Sequence, residues 1–195
     1  MLPLFFLFLL AQPGVVGAQG YPPGSQFADL SIGVAGLVIR PANIVWTDPK
    51  LPDGVRLPPR MDSTVMTLNV GRVTGSWYAI IGGFDLSGGG RSGIGYGNHS
   101  IHGGVRKWVR PGVWLEGTVG AAYTSVLIGE WDAANDTGKW GLGLGGAVGV
   151  DVLRFGGVRT VNVQVRAATS TAGPVRTYRV GVMLGFGLGP CRPGC

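Results

Sequence analysis

The feature that most constrains this chain is an alternation of period two running from Lys139 to Thr169. Leu142, Leu144, Gly146, Val148, Val150 and Val152 occupy the even positions, and Gly141, Gly143, Gly145, Ala147, Gly149 and Asp151 the odd ones. After Gly156-Gly157, Val161, Val163, Val165 and Ala167 alternate with Thr160, Asn162, Gln164 and Arg166. Successive side chains of a strand point to opposite faces. Two such runs joined by Gly-Gly predict a β-hairpin, because glycine tolerates the positive φ of a tight turn. One face of the hairpin is aliphatic; the other is small, polar or charged.

The pattern recurs along the chain. Leu30 to Ile39 predicts a first strand, and Arg40 to Arg60 a long loop, since its five prolines (Pro41, Pro49, Pro52, Pro58 and Pro59) exclude a central strand or helix. Strands are predicted at Met61–Val73, Trp77–Leu86, Asn98–Val109, Val113–Val126 and Val175–Leu188, besides the two of the hairpin. Short turns at Thr74–Ser76 and Arg110–Gly112 alternate with a glycine-rich loop at Ser87–Gly97, a polar loop at Ile128–Gly138 and a medium loop at Thr169–Pro174. The total is eight strands.

Which face points inward decides the class of protein. Charged residues make up 13% of the chain, against roughly 25% in soluble domains, and mean hydropathy is positive. No apolar run reaches the length of a spanning helix. In the last three strands the aliphatic face holds fifteen apolar residues and Gly146, while the sixteen opposite positions hold seven glycines and one large apolar residue, Met183. A water-facing surface would carry Lys and Glu, and that second face has neither. A narrow eight-stranded lumen suits small residues with a few polar groups. The prediction is an all-β, eight-stranded antiparallel up-and-down transmembrane β-barrel with its aliphatic face in lipid. The alternative is a soluble secreted barrel of lipocalin type, with the faces exchanged and a ligand inside. Trp77, Tyr78, Trp108, Trp114, Tyr123, Trp140 and Tyr178 are candidates for aromatic girdles.

Residues 1–18 read as a signal peptide: Leu2–Leu10 is apolar, and Val16-Gly17-Ala18 supplies the small residues of a cleavage site. Residues 19–28 form a periplasmic lead-in, 29–188 the barrel domain and 189–195 a tail with a cysteine pair, placing both mature ends in the periplasm. Cys191 and Cys195 are disulfide candidates in an exported protein. No metal site and no cofactor are expected, because two thiolates without a nearby His do not complete a zinc shell. The net charge of +6 suggests attraction to anionic partners such as lipopolysaccharide. Nucleic acid is not expected, since no basic cluster exceeds Arg106-Lys107.

From Asp29 to Leu188 the strand count, loop asymmetry and face chemistry resemble the bacterial eight-stranded outer-membrane barrels of the OmpA transmembrane-domain type. The resemblance implies insertion into the outer membrane by the barrel assembly machinery. Members of that family often end in an aromatic residue; this chain ends in GFGLGPCRPGC, with Tyr178, Phe186 and Leu188 on the outward face of its last strand.

The lumen charges are predicted to be Asp85, Arg106, Glu116, Asp151, Arg166 and Arg179. Arg106 is expected to pair with Glu116, and Arg166 and Arg179 to face each other across adjacent strands. A polar plug is one reading of this set and a narrow anion-selective pore another. Ser100 and His102 share a face with Glu116, an arrangement that resembles the triad of the outer-membrane lipid A deacylases. The order of Ser and His is reversed, however, and Glu116 lies about two rows away, so catalysis is not expected and His102 is read as solvated. Gly141, Gly143 and Gly146 match a dinucleotide fingerprint, but they lie within a strand with no helix to follow. Asn98 and Asn135 open glycosylation sequons that are chance matches in a bacterial barrel. The expected role is structural or surface-interacting, with the outer loops open to an extracellular ligand.

Overall fold

The computed structural model describes residues 23–42, 44–48, 51–75, 77–91, 93–128, 137–155 and 159–189. The predicted signal peptide, most of the lead-in, the centre of the Ile128–Gly138 loop, Asn135, Gly156-Gly157 and both cysteines lie outside these residues. The elements are β1 (Gln26–Arg40), β2 (Val45–Asp48), β3 (Leu51–Arg56), β4 (Arg60–Gly75), β5 (Tyr78–Arg91), β6 (Ile94–Arg110), β7 (Val113–Ile128), β8 (Thr137–Phe155), β9 (Arg159–Ala172) and β10 (Val175–Leu188). Eight of them close an antiparallel barrel in the order β1-β10-β9-β8-β7-β6-β5-β4. Closure pairs each strand on both sides and leaves no edge.

The register gives the shear. Following cross-strand partners from Ile39 leads through Thr177, Ser170, Gly143, Gly120, His102, Gly83 and Asn69 to Asp29. The circuit returns to β1 ten residues from where it began. With strands about 4.8 Å apart and about 3.3 Å per residue, that offset tilts the strands by roughly 40°.

The aliphatic face is the outer surface. Ile32, Val34, Ile80, Ile101, Leu142, Val180 and Leu188 are all more than half exposed, so an apolar belt covers the wall. The opposite face is buried inside. Met183 of β10 is a large apolar residue on that inner face, buried against Ala35 and Val65.

Four expectations are corrected. The Arg40–Arg60 segment is not a plain loop, because β2 and β3 pair within it as a separate two-stranded sheet. Both strands of such a sheet are edges, where a proline such as Pro52 costs no central ladder bond. Ser87–Gly97 is likewise not a loop: β5 and β6 stay paired from Ser87↔Asn98 to Arg91↔Ile94, and Gly93 turns the chain at φ 78°. Glycines carry no hydrophobic signal yet make the same ladder; a Cβ on Gly89 would lie 2.2 Å from the Asp62 carbonyl oxygen. The medium loop at Thr169–Pro174 shrinks to a tight turn between Ala172 and Val175, with Gly173 at φ 59°. Finally, Trp108 and Trp114 do not belong to the girdles. They are 6% and 1% exposed inside the barrel, on the even positions of β6 and β7 shared with Arg106 and Glu116. Trp77, Tyr78, Trp140 and Tyr178 do lie on the outside.

Candidate functional site

The interior is filled in layers. At the end where β1 finishes and β4 begins, Leu37, Ile39, Met61, Tyr96, Val126, Ala172 and Val175 form an apolar cap with Trp46 of β2 and Leu57. Trp46 and Leu57 are 1% and 0% exposed, so the β2–β3 hairpin folds its apolar side into the barrel mouth. Lys139 fastens it from β8: Nζ donates to the Thr47 carbonyl at 2.9 Å and sits 4.7 Å from the Trp46 ring centroid. At the opposite end Phe27, Val73, Ala79, Ile81, Trp108, Trp114 and Ala147 form an apolar base.

Between cap and base lies an ionic plug. Three carboxylates (Asp29, Asp85, Glu116) meet three guanidinium groups (Arg106, Arg166, Arg179). Glu116 is the hub. One carboxylate oxygen accepts from Arg106 Nη2 at 2.6 Å and Nε at 3.1 Å; the other accepts from Arg166 Nη1 at 2.7 Å. Arg106 Nη1 reaches Asp29 at 2.6 Å, and its guanidinium lies 4.0 Å from the Trp114 ring centroid and 5.0 Å from that of Phe27. Asp85 receives Arg166 at 3.4 Å and Arg179 at 3.5 Å and accepts from the Thr67 hydroxyl at 2.6 Å. All six charged residues are buried. Charges can persist there because each is ion-paired and the plug is neutral as a unit.

Several residues fall in places the sequence did not suggest. Arg106 and Glu116 are direct cross-strand partners, but Arg166 pairs with Gly181 and Arg179 with Ala168. The two arginines are therefore diagonal neighbours, and both converge on Asp85 from the far wall. Asp151 lies toward the base, where it lines a small cavity with Asp29, Arg106, Trp108 and Trp114. His102 is not solvated: it is 7% exposed, with Nε2 2.9 Å from Asn69 Oδ1 and Nδ1 4.0 Å from Asp85. Asp29 and Asn69 were missed. Asp29 sits on the same parity as Ser31 and Gly33, one position before the predicted start of β1, so extending that alternation would have found it.

The Ser100, His102 and Glu116 side chains make no hydrogen bond to one another among the described residues. Glu116 is engaged by two arginines and Asn69, and His102 by Asn69. The group lies within the lumen, away from the lipid-facing wall. A cavity of about 20 Å³ is lined by Ser87, Asn98, Ser100, His102, Ser170 and Thr177 together with apolar groups such as Leu37 and Ala122. That is room for a water molecule and not for an organic ligand. Asn98 turns into this cavity and donates to Thr124 and Ser170 at 2.9 and 3.0 Å.

Among solved structures, the chain is similar to Ail, the attachment invasion locus protein of Yersinia pestis, with a TM-score of 0.57 and 15% identity over 86% of this chain and 100% of that one. It is also similar to Neisserial surface protein A, with a TM-score of 0.61 and 12% identity over 89% and 99% of the two chains. The fold is that of the eight-stranded outer-membrane barrels. No family model matches the sequence, and no curated protein matches it. The likeness therefore lies in architecture: alternating faces, a closed ring and an apolar outer wall.

Proposed function

We propose that this protein is a non-catalytic outer-membrane barrel that displays a surface at the outer end, with its lumen serving as a filled scaffold. In this reading residues 1–18 direct export, both mature ends lie in the periplasm, and the barrel assembly machinery inserts residues 29–188. The observation that carries it is the layered interior: among the described residues an apolar cap, a neutral ionic plug and an apolar base occupy the lumen in succession. A scaffold filled in this way contributes stability and leaves interaction to the β2–β3 hairpin and the outer rim. The engagement of His102 by Asn69 and of Glu116 by Arg106, Arg166 and Asn69 supports a non-enzymatic role.

Planar-bilayer recording of the refolded chain tests the reading. The expected result is no unitary conductance above the bare bilayer. Reproducible anion-selective steps would establish the narrow-pore alternative instead.

A further inference from the structure

We infer that the outer rim carries a binding site for the phosphate headgroup of a membrane lipid, built from Arg40, Arg60 and Arg176. The inference rests on the membrane orientation proposed above. These arginines lie at the ends of three neighbouring strands, β1, β4 and β10, and all are exposed. Arg40 and Arg176 are direct cross-strand partners. Arg60 pairs with Val38, one outward position below Arg40.

The arrangement is costly without an anion. Like charges directly opposite on a sheet destabilise the pair, and among the described residues Arg40, Arg60 and Arg176 have no ion-pair partner. The one acid described on this face of the cluster, Asp62, pairs with Gly36 further down the wall and stands against three guanidinium groups. The anion these groups fit is a phosphate, which guanidinium groups grip through parallel hydrogen bonds.

The face on which they lie selects a lipid as the source. Arg40 and Arg176 continue the outward positions of β1 and β10 that hold Val34, Val180 and Val182, all more than half exposed. Tyr178, paired with Val38, sits one outward position below Arg176, at the level where aromatic rings mark the headgroup boundary. The guanidinium groups thus border the apolar belt instead of the barrel mouth. A phosphate anchored in the leaflet meets them there, whereas a soluble polyanion would have to approach along the membrane surface.

The test uses the full chain in uncharged maltoside micelles, with bound lipid counted by native mass spectrometry. The probes are lipid A and lipid A stripped of its phosphates. Wild type should retain lipid A and lose the stripped form. The variant Arg40→Gln/Arg60→Gln/Arg176→Gln should weaken retention by at least about tenfold. A control at the other end, Arg72→Gln/Arg110→Gln, should leave retention unchanged. Equal retention of both lipids by wild type, or undiminished retention by the triple variant, would overturn the site. So would binding of dextran sulfate at the cluster without any retention of lipid A. Heat-modifiable gel mobility is run on every sample: a wild-type chain that never folds in detergent refutes the membrane reading itself, while a folded chain indifferent to phosphate refutes only the site. Should the triple variant fail to fold, Arg40→Gln and Arg176→Gln singly carry the measurement, each with a smaller loss expected.

Discussion

Glu116 holds the plug together, and its replacement by glutamine gives the sharpest test of that role. The change is nearly isosteric, so cavity terms are small. It removes one negative charge that lies 2.6 Å from Arg106 and 2.7 Å from Arg166. At such separations and an effective dielectric of ~20, the gross attraction is roughly 6 kcal/mol per contact. The carboxylate's desolvation, several kcal/mol, is relieved at the same time and offsets much of this. What remains is the penalty of two guanidinium groups sharing Asp29 and Asp85 with a third, so the network carries one uncompensated positive charge. Removing one partner from a buried ion pair typically costs about 3–5 kcal/mol, and that is the loss expected for Glu116→Gln. Equilibrium urea unfolding in lipid vesicles measures it, followed by the fluorescence of Trp108 and Trp114, which close the base beside Arg106. Adding Arg166→Met should restore part of the loss, because the double variant is again charge-balanced; the coupling should exceed about 1 kcal/mol. A Glu116→Gln variant within about 1 kcal/mol of wild type, or strict additivity with Arg166→Met, would show that the plug does not act as one electrostatic unit.

Two further outcomes follow from the same structure. Ile101 is 70% exposed near the middle of β6, so Ile101→Arg should cost roughly 2–4 kcal/mol on folding into bilayers; a negligible change in the urea midpoint would place that face elsewhere than in lipid. Trp46 is fully sunk in the barrel mouth while its hairpin lies outside the closed ring. Trp46→Ala should free residues 45–56 to protease attack and leave the heat-modifiable mobility of the barrel intact; protection equal to wild type would show that the hairpin is held by other contacts.

What the sequence determined by itself was the two-faced character of the wall. Alternation is a local property: each residue's face follows from the parity of its position, so Leu142, Val163 and Val180 could be assigned outward and Glu116, Arg166 and Arg179 inward without any knowledge of partners. The same parity placed Trp108 and Trp114 inside, although their bulk suggested a girdle. Glycine-rich stretches concealed the outer ends of β5 and β6, because a hydrogen-bonded ladder needs no side chains and leaves no hydrophobic trace. Only the tertiary structure decided which charges meet. Arg106 and Glu116 are neighbours across one turn, so their pairing could be read from a hairpin register. Asp29, Asp85 and Arg166 come from strands far apart in sequence, and their meeting depends on the ten-residue shear and on the width of an eight-stranded lumen. Those quantities are set when the ring closes, by all eight registers together, and no single stretch of the chain encodes them.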